Sequence, residues 1–547
     1  MMKALLGKYR FWLNCWGIVF GILAVVFSFY MITFYIGNHD WQFVRYGVKI
    51  SNGLWEGRLT QFILPVLLLN GKVLPILGAI IGLLFFAGGS VLLARWYQLP
   101  QKYFPIIIFS LLITLNPYVC TQLYYVHTVI SVLGWHLLSI VGCICAWRFT
   151  EKYQIKWLLS ALVCLWGALA GYAPSLELIS VITVGKFLTD ILGCIKINKK
   201  IAKKYAILVG IVAAAIICYV LSIYVLRQAK ILNTHMYNVQ TLAIKDILGL
   251  LLKEWNAPFK TLLMDIPYSS SVMNYLLFLL CGLALYIAYL KKRLVLCIIS
   301  FIGLFYAAFI LAYLSPFGVF KVMRIHSFSV PYIAAVLFAI GYLYGDKFKR
   351  NMVFTAAVIL AFLYLKADFM AEKVWYLGTE QDERTVDRVR AELLPKLETG
   401  KHYRLSSVGT FYGRQKFAGF DELSAEERET YREYYGYGLY LYRFFSAGLF
   451  FYEKENPIWG EATYFGNYLN YFLIYESISH QDTINAYVFA KHFGTDKENL
   501  IAAADRLCAY PCRNFYYVGQ KDILLMVSDD DISRLVLKWN IENEGHF

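Results

Sequence analysis

The sequence predicts an all-α polytopic membrane domain of about eleven transmembrane helices, followed by a C-terminal extracytoplasmic α/β domain. Three observations predict it. Of 547 residues, 59% are hydrophobic and only 16% are charged, and many apolar runs reach the length needed to cross a hydrocarbon core of roughly 30 Å. The formal charge of +15 lies mostly in short loops between those runs, as the positive-inside rule requires, and this accounts for it better than a nucleic-acid surface would. From residue 370 onward the composition turns polar.

Lys3, Lys8 and Arg10 precede the first apolar run and place the N-terminus in the cytoplasm. That run is too long for a signal peptide, and no small-residue cleavage site follows it. Spans are expected at 11–36, 73–94, 104–120, 126–147, 157–173, 175–192, 205–226, 273–290, 294–313, 328–344 and 352–369. The inner loops would hold Arg95 and Lys102, the Arg148 to Lys156 cluster, the Lys196 to Lys204 cluster, Lys291 to Arg293, and Lys347 to Arg350. Each cluster falls on the side that alternation demands, and an odd number of spans leaves the tail outside. The membrane domain is therefore expected over 1–370, with outer-face loops at 37–72 and 227–272, and the soluble domain over 371–547.

Two outer segments read as helices lying in the interface plane. One carries Trp55, Leu59, Phe62 and Ile63 on a single face, a pattern that core packing explains equally well. The other, Val239–Trp255, sets Ile244, Ile247, Leu248, Leu251, Leu252 and Trp255 against Lys245, Asp246, Lys253 and Glu254. In the tail, Glu380 to Arg390 marks a solvated helix, and Ser424 to Glu427 forms a capping box for another. Arg404–Gly409 and Phe515–Val527 read as strands. Tyr435–Tyr452 reads as a buried or interfacial helix, or as a twelfth span that would send the C-terminus inside. Nine of the eleven cysteines lie in or beside apolar runs and act as small hydrophobes. Cys508 and Cys512 stand in the polar tail, where an extracytoplasmic location favours a disulfide.

The chemistry concentrates in Asn38 to Arg58, directly after the first span. Asp40 either caps a short helix or serves as a general base, taking the proton of an acceptor hydroxyl as it attacks an anomeric carbon at headgroup depth. A lipid-linked sugar donor holds its reactive carbon at that depth. Arg45, Arg58, Lys72, Lys321 and Arg324 fall at the outer surface against the general charge bias. A guanidinium matches the oxygens of a departing phosphate, and headgroup anchoring is the competing role. Glu177, inside a span near its outer end, either shapes a cavity or pairs with a neighbouring Arg or Tyr. Glu56, Asp265 and His326 are weaker candidates on outer loops. Asp40 is thus the expected catalytic residue, with His39, Trp41, Arg45, Arg58, Glu177, Lys321 and Arg324 as the expected substrate-binding set. There is no Walker loop, no dinucleotide fingerprint, no HExxH and no nucleophile elbow. Neither a metal nor a soluble cofactor is expected.

An outer motif His39-Asp40-Trp41 after the first span, then Gly57-Arg58, resembles the GtrII-type bacterial glucosyl transferases. Arg324 at the start of a late span, and Tyr510-Pro511 ahead of a closing strand pair, are similar to that family too. More broadly the layout resembles the GT-C glycosyltransferases, whose first outer loop carries an essential carboxylate. The resemblance implies a multi-pass protein of the bacterial cytoplasmic membrane. It would transfer a sugar, glucose favoured, from a polyprenyl-phosphate donor to a glycan or glycolipid acceptor such as O-antigen. A donor synthase and a flippase would be its functional partners. The family usually shows paired acids where this chain has His39-Asp40, which leaves Asp40 as the sole carried-over acid. A flippase or transporter of lipid-linked sugars, and a surface-polysaccharide polymerase or ligase, are the alternatives.

Overall fold

The computed structural model describes residues 2–32, 43, 47–123, 125–193, 199–232, 244–263, 270–314, 323–396, 403–408, 480–481, 502, 506–508, 512–519 and 522–526. The chain divides into two compact units, Met1–Met370 and Ala371–Phe547. The longer helices are α1 (Met2–Val26), α2 (Pro75–Trp96), α3 (Tyr103–Thr114), α4 (Val129–Lys152), α5 (Ile155–Gly171), α6 (Ser175–Gly193), α7 (Lys199–Gln228), α8 (Ile244–Lys253), α9 (Val272–Leu290), α10 (Leu294–Ala308), α11 (Val330–Tyr344) and α12 (Lys347–Leu393).

Among the described residues, seven helices are long and apolar enough to cross a membrane: α1, α2, α4, α7, α9, α11 with the turn before it, and α12. Helices α3, α5 and α10 are apolar but shorter, and α6 carries Glu177, Lys186 and Asp190. Each predicted span thus falls on a helix, and the chain is a helical membrane protein. Burial separates core from periphery. Helix α11 is buried on all sides from Val330 to Gly341, as a core helix should be. On α7, α9 and α10, by contrast, Val209, Leu221, Phe278, Val295 and Ile299 are exposed. A surface this apolar is stable against lipid and not against water. Helix α4 is the hub, packed on α2, α5, α6 and α7.

Three spans depart from their expected shape. The run predicted as 104–120 stops at Thr114, because Asn116-Pro117 cannot continue a helix. Asn116 Oδ1 accepts the Tyr118 N–H at 3.1 Å, and a single turn, Cys120–Leu123, follows. The run predicted as 294–313 is interrupted at Phe309. The helix of the first span begins at Met2, although its apolar part starts at Tyr9, and it is interrupted at Phe27. At the start of α12, Asp346 Oδ1 accepts the Lys349 N–H at 2.9 Å, while the Lys349 ammonium pairs with Oδ2. The bond to the Lys349 side chain, aided by the backbone bond, holds the Asp346 carboxyl below its usual range. Helix α12 gives way at Leu394–Lys396, where Pro395 stands.

Among the described residues, the loop predicted to hold one interfacial helix forms two short helices, Ile50–Trp55 and Ile63–Leu69. Between them Gly57 adopts φ +71°, a conformation that only glycine takes freely. The ends of the loop are pinned together where the Val48 N–H donates to the Gly71 carbonyl at 2.7 Å. Gly71 has φ +72°, and a Cβ there would collide with the Val48 carbonyl oxygen. Gly71→Ala should therefore lower stability by about 1–3 kcal/mol. Gly210→Ala on α7, where a Cβ meets nothing, should be neutral or raise it by up to about 1 kcal/mol. Thermal unfolding of the two purified variants makes the comparison.

The second amphipathic segment forms α8, with Leu248, Leu252 and nearby Trp255 exposed. Its C-terminal end is held by the Tyr313 hydroxyl on the Glu254 carbonyl (2.9 Å) and the Tyr306 hydroxyl on the Trp255 carbonyl (2.6 Å).

In the second unit β1 (Tyr403–Val408), β2 (His480–Gln481), β3 (Tyr516–Val518) and β4 (Asp522–Met526) form one sheet in the order β2-β1-β4-β3. β1 runs parallel to β2 and β4, and β3 pairs antiparallel with β4. Cys508 and Cys512 form a disulfide, with Cα atoms 6.1 Å apart. The expected helix after Ser424 and the segment Tyr435–Tyr452 lie outside the described residues.

Candidate functional site

Among the described residues that the sequence singled out, Glu56, Arg58, Glu177, Arg324 and His326 lie at one end of the bundle, where α5 ends and α6 and α11 begin. The Glu56–Phe62 turn is fastened to α5: the Thr60 hydroxyl donates to the Gly167 carbonyl at 2.6 Å, and its N–H to Ala170 at 3.3 Å. The Tyr219 hydroxyl reaches the Gly57 carbonyl at 3.4 Å. This seating presents Arg58, which is paired with Glu56 at 3.0 Å and lies 3.4 Å from Gln61 Oε1. Its side chain remains 29% exposed.

Arg324 belongs to the short turn Met323–His326 ahead of α11. Its guanidinium carbon lies 4.2 Å from the centre of the Tyr125 ring. Its carbonyl oxygen accepts bonds from Gln122 Nε2 at 2.6 Å and from the Ser327 hydroxyl at 2.8 Å, and the Tyr172 hydroxyl is 3.3 Å away. Gln122 Nε2 also lies 3.0 Å from the Tyr172 oxygen. The turn that carries Arg58 and the turn that carries Arg324, from distant parts of the sequence, are thus both hydrogen-bonded to the end of α5, the first through Thr60 and the second through Tyr172, the residue that follows the helix.

The segment Gln122–His127 links this pair to the opening stretch. His127 stacks on Phe43 at 4.4 Å, and Phe62 packs against both rings. Phe43, the described residue nearest Asp40 on its C-terminal side, shares a small buried cluster with Val48 and Phe62.

Glu177, in the first turn of α6, is fully buried. Its Oε1 accepts the Leu311 N–H at 3.2 Å, and its Oε2 lies 3.0 Å from both His326 Nδ1 and the Ser329 hydroxyl. The Ser329 oxygen is also 2.7 Å from the Ala308 carbonyl. The partners of Glu177 are thus a histidine, a serine and a backbone N–H, not the neighbouring Arg or Tyr expected for a pairing role. The carboxylate clamps the chain on both sides of Arg324, whose turn it holds in place.

Asp40, His39, Trp41, Arg45, Lys321 and Asp265 lie outside the described residues. Lys72 is described and exposed. Sequence reasoning missed Gln122, Tyr125, His127 and Tyr172. The signal for the first three was the Asn116-Pro117 break, after which Tyr118, Thr121, Gln122 and Tyr125 are buried. Among the described residues no group of His, Cys, Asp and Glu is placed to hold a metal ion.

The fold and the site together define a helical membrane protein with a polar, doubly cationic cluster at one end of its bundle. No family model, curated protein or solved structure matches the chain.

Proposed function

We propose that the chain is an integral-membrane glycosyltransferase. It moves one sugar, glucose favoured, from a polyprenyl-phosphate donor to a cell-surface glycan or glycolipid on the outer face of a bacterial cytoplasmic membrane. Asp40 takes the proton of the acceptor hydroxyl, whose oxygen attacks the anomeric carbon. The bond from that carbon to the phosphate oxygen breaks, and its electron pair leaves with the polyprenyl phosphate. A single displacement inverts the anomeric centre. The observation that carries this reading is that the turns bearing Arg58 and Arg324 are both fastened to the end of α5, through Thr60 and Tyr172. Preorganised guanidinium groups stabilise charge that develops on a leaving phosphate. The Cys508–Cys512 disulfide supports an extracytoplasmic tail, since such bonds persist in oxidising compartments.

The test uses purified full-length protein, polyprenyl-phosphate glucose and a glycolipid acceptor. Glycosidic bond formation is expected. Arg58→Gln and Arg324→Gln should each lower turnover by about 10²–10³-fold. Arg324→Lys should not restore it, because an ammonium lacks the planar fork. Movement of the donor across the bilayer without bond formation would identify a transporter instead. Wild-type turnover in both Gln variants would remove the two arginines from the mechanism.

A further inference from the structure

At the opposite end of the bundle, where α4 ends, α5 begins and α7 begins, cations and aromatic rings interleave. Trp157 lies between Arg148 (4.7 Å) and Lys156 (5.6 Å). Trp147 lies between Lys204 (4.8 Å) and the buried Lys186 (5.2 Å). Lys203 is 5.8 Å from the Tyr153 ring. Only two acids stand at this end of α4 to α7, and both are engaged: Glu151 with Lys204 at 3.4 Å, and Asp190 with Lys186 at 2.5 Å and the Tyr205 hydroxyl at 2.8 Å. Arg148, Lys152, Lys156 and Lys203 have no carboxylate at ion-pairing distance among the described residues.

A stripe of aliphatic side chains runs from this cluster along α5. Ile155, Leu159 and Val163, spaced one turn apart, are all exposed. The cations thus cap an apolar track on the same helix, a combination that matches an amphiphile with a negative head. The positive-inside rule requires cations in this loop. It does not require flat aromatic faces between them, or the neutralisation of every nearby acid.

We infer that the ends of α4, α5 and α7 form a binding site for an anionic phospholipid, its phosphate held by Arg148, Lys156 and Lys203 and an acyl chain laid along Ile155, Leu159 and Val163. Basic pockets between membrane helices recognise lipid headgroups in this way, and each cation near the surface contributes measurably. The site is independent of the proposed transfer reaction, so its test needs no activity.

The experiment titrates the delipidated full-length protein with phosphatidylglycerol, phosphatidylcholine or inorganic phosphate, and follows thermal unfolding and lipid adducts by native mass spectrometry. Phosphatidylglycerol should bind and raise the unfolding midpoint, whereas phosphatidylcholine and inorganic phosphate should do neither. The triple variant Arg148→Gln, Lys156→Gln, Lys203→Gln should bind phosphatidylglycerol about a hundredfold more weakly. Should that variant fail to fold, Lys156→Gln alone should weaken binding about fivefold. Equal responses to the two lipids, a response to inorganic phosphate alone, or undiminished phosphatidylglycerol binding by the folded variants would overturn the assignment.

Discussion

Asp40→Asn is expected to lower sugar transfer by about 10²–10⁴-fold, the usual contribution of a general base. That corresponds to about 3–5 kcal/mol of barrier. The substitution separates the two roles open to this residue. Asn caps a helix as well as Asp does, so a capping role survives the change with stability, membrane insertion and abundance intact. Proton abstraction does not survive, because a neutral amide cannot take the acceptor's proton. Transfer assayed beside the unfolding midpoint reads both roles at once. Undiminished transfer in Asp40→Asn would leave capping as the residue's role and remove the base from the mechanism.

Glu177→Ala should have the largest effect on stability, about 3–5 kcal/mol. The carboxylate is fully buried and both oxygens are occupied, by Leu311, His326 and Ser329. Truncation strands the Leu311 backbone N–H, takes a charged acceptor from the Ser329 hydroxyl and the His326 ring, and leaves a cavity in a buried site besides. Glu177→Gln keeps the volume and one acceptor oxygen, and should cost less than half as much. Thermal unfolding and membrane abundance are the readouts. The pattern distinguishes a clamp from a group that touches substrate. A clamp loses stability in Ala and recovers most of it in Gln, and transfer follows stability because the turn bearing Arg324 moves with the clamp. A substrate ligand would lose transfer in both variants at unchanged midpoint.

The helices are the most legible part of this molecule in its sequence. Apolar run length and the alternation of basic loops depend on neighbouring residues alone, and each expected span falls on a helix. Breaks within the runs are less legible. Asn116-Pro117 carries a recognisable stop, yet the run around it is apolar enough to mask it. Phe309 has no such marker, and we have no physical account of the interruption there. The strands near Arg404 and Phe515 were readable from their apolar, β-branched or aromatic runs, and their pairing into one mixed sheet was not. The site divides in the same manner. Arg58, Glu177 and Arg324 stand out because charge is rare in a membrane chain. Their partners Gln122, Tyr125, Tyr172 and Ser329 are ordinary residues in sequence, and only the fold brings them together. The turn at Gly57 likewise replaces a regular helix through a backbone conformation that an apolar pattern does not encode.

The most direct test of the central claim is the mass of surface glycans from cells with and without the gene. Transfer of one sugar by this protein predicts a fixed mass increment per repeat unit, equal to a single hexose if the donor is polyprenyl-phosphate glucose, present only when the gene is intact. Identical repeat-unit masses in the two strains would contradict a transferase.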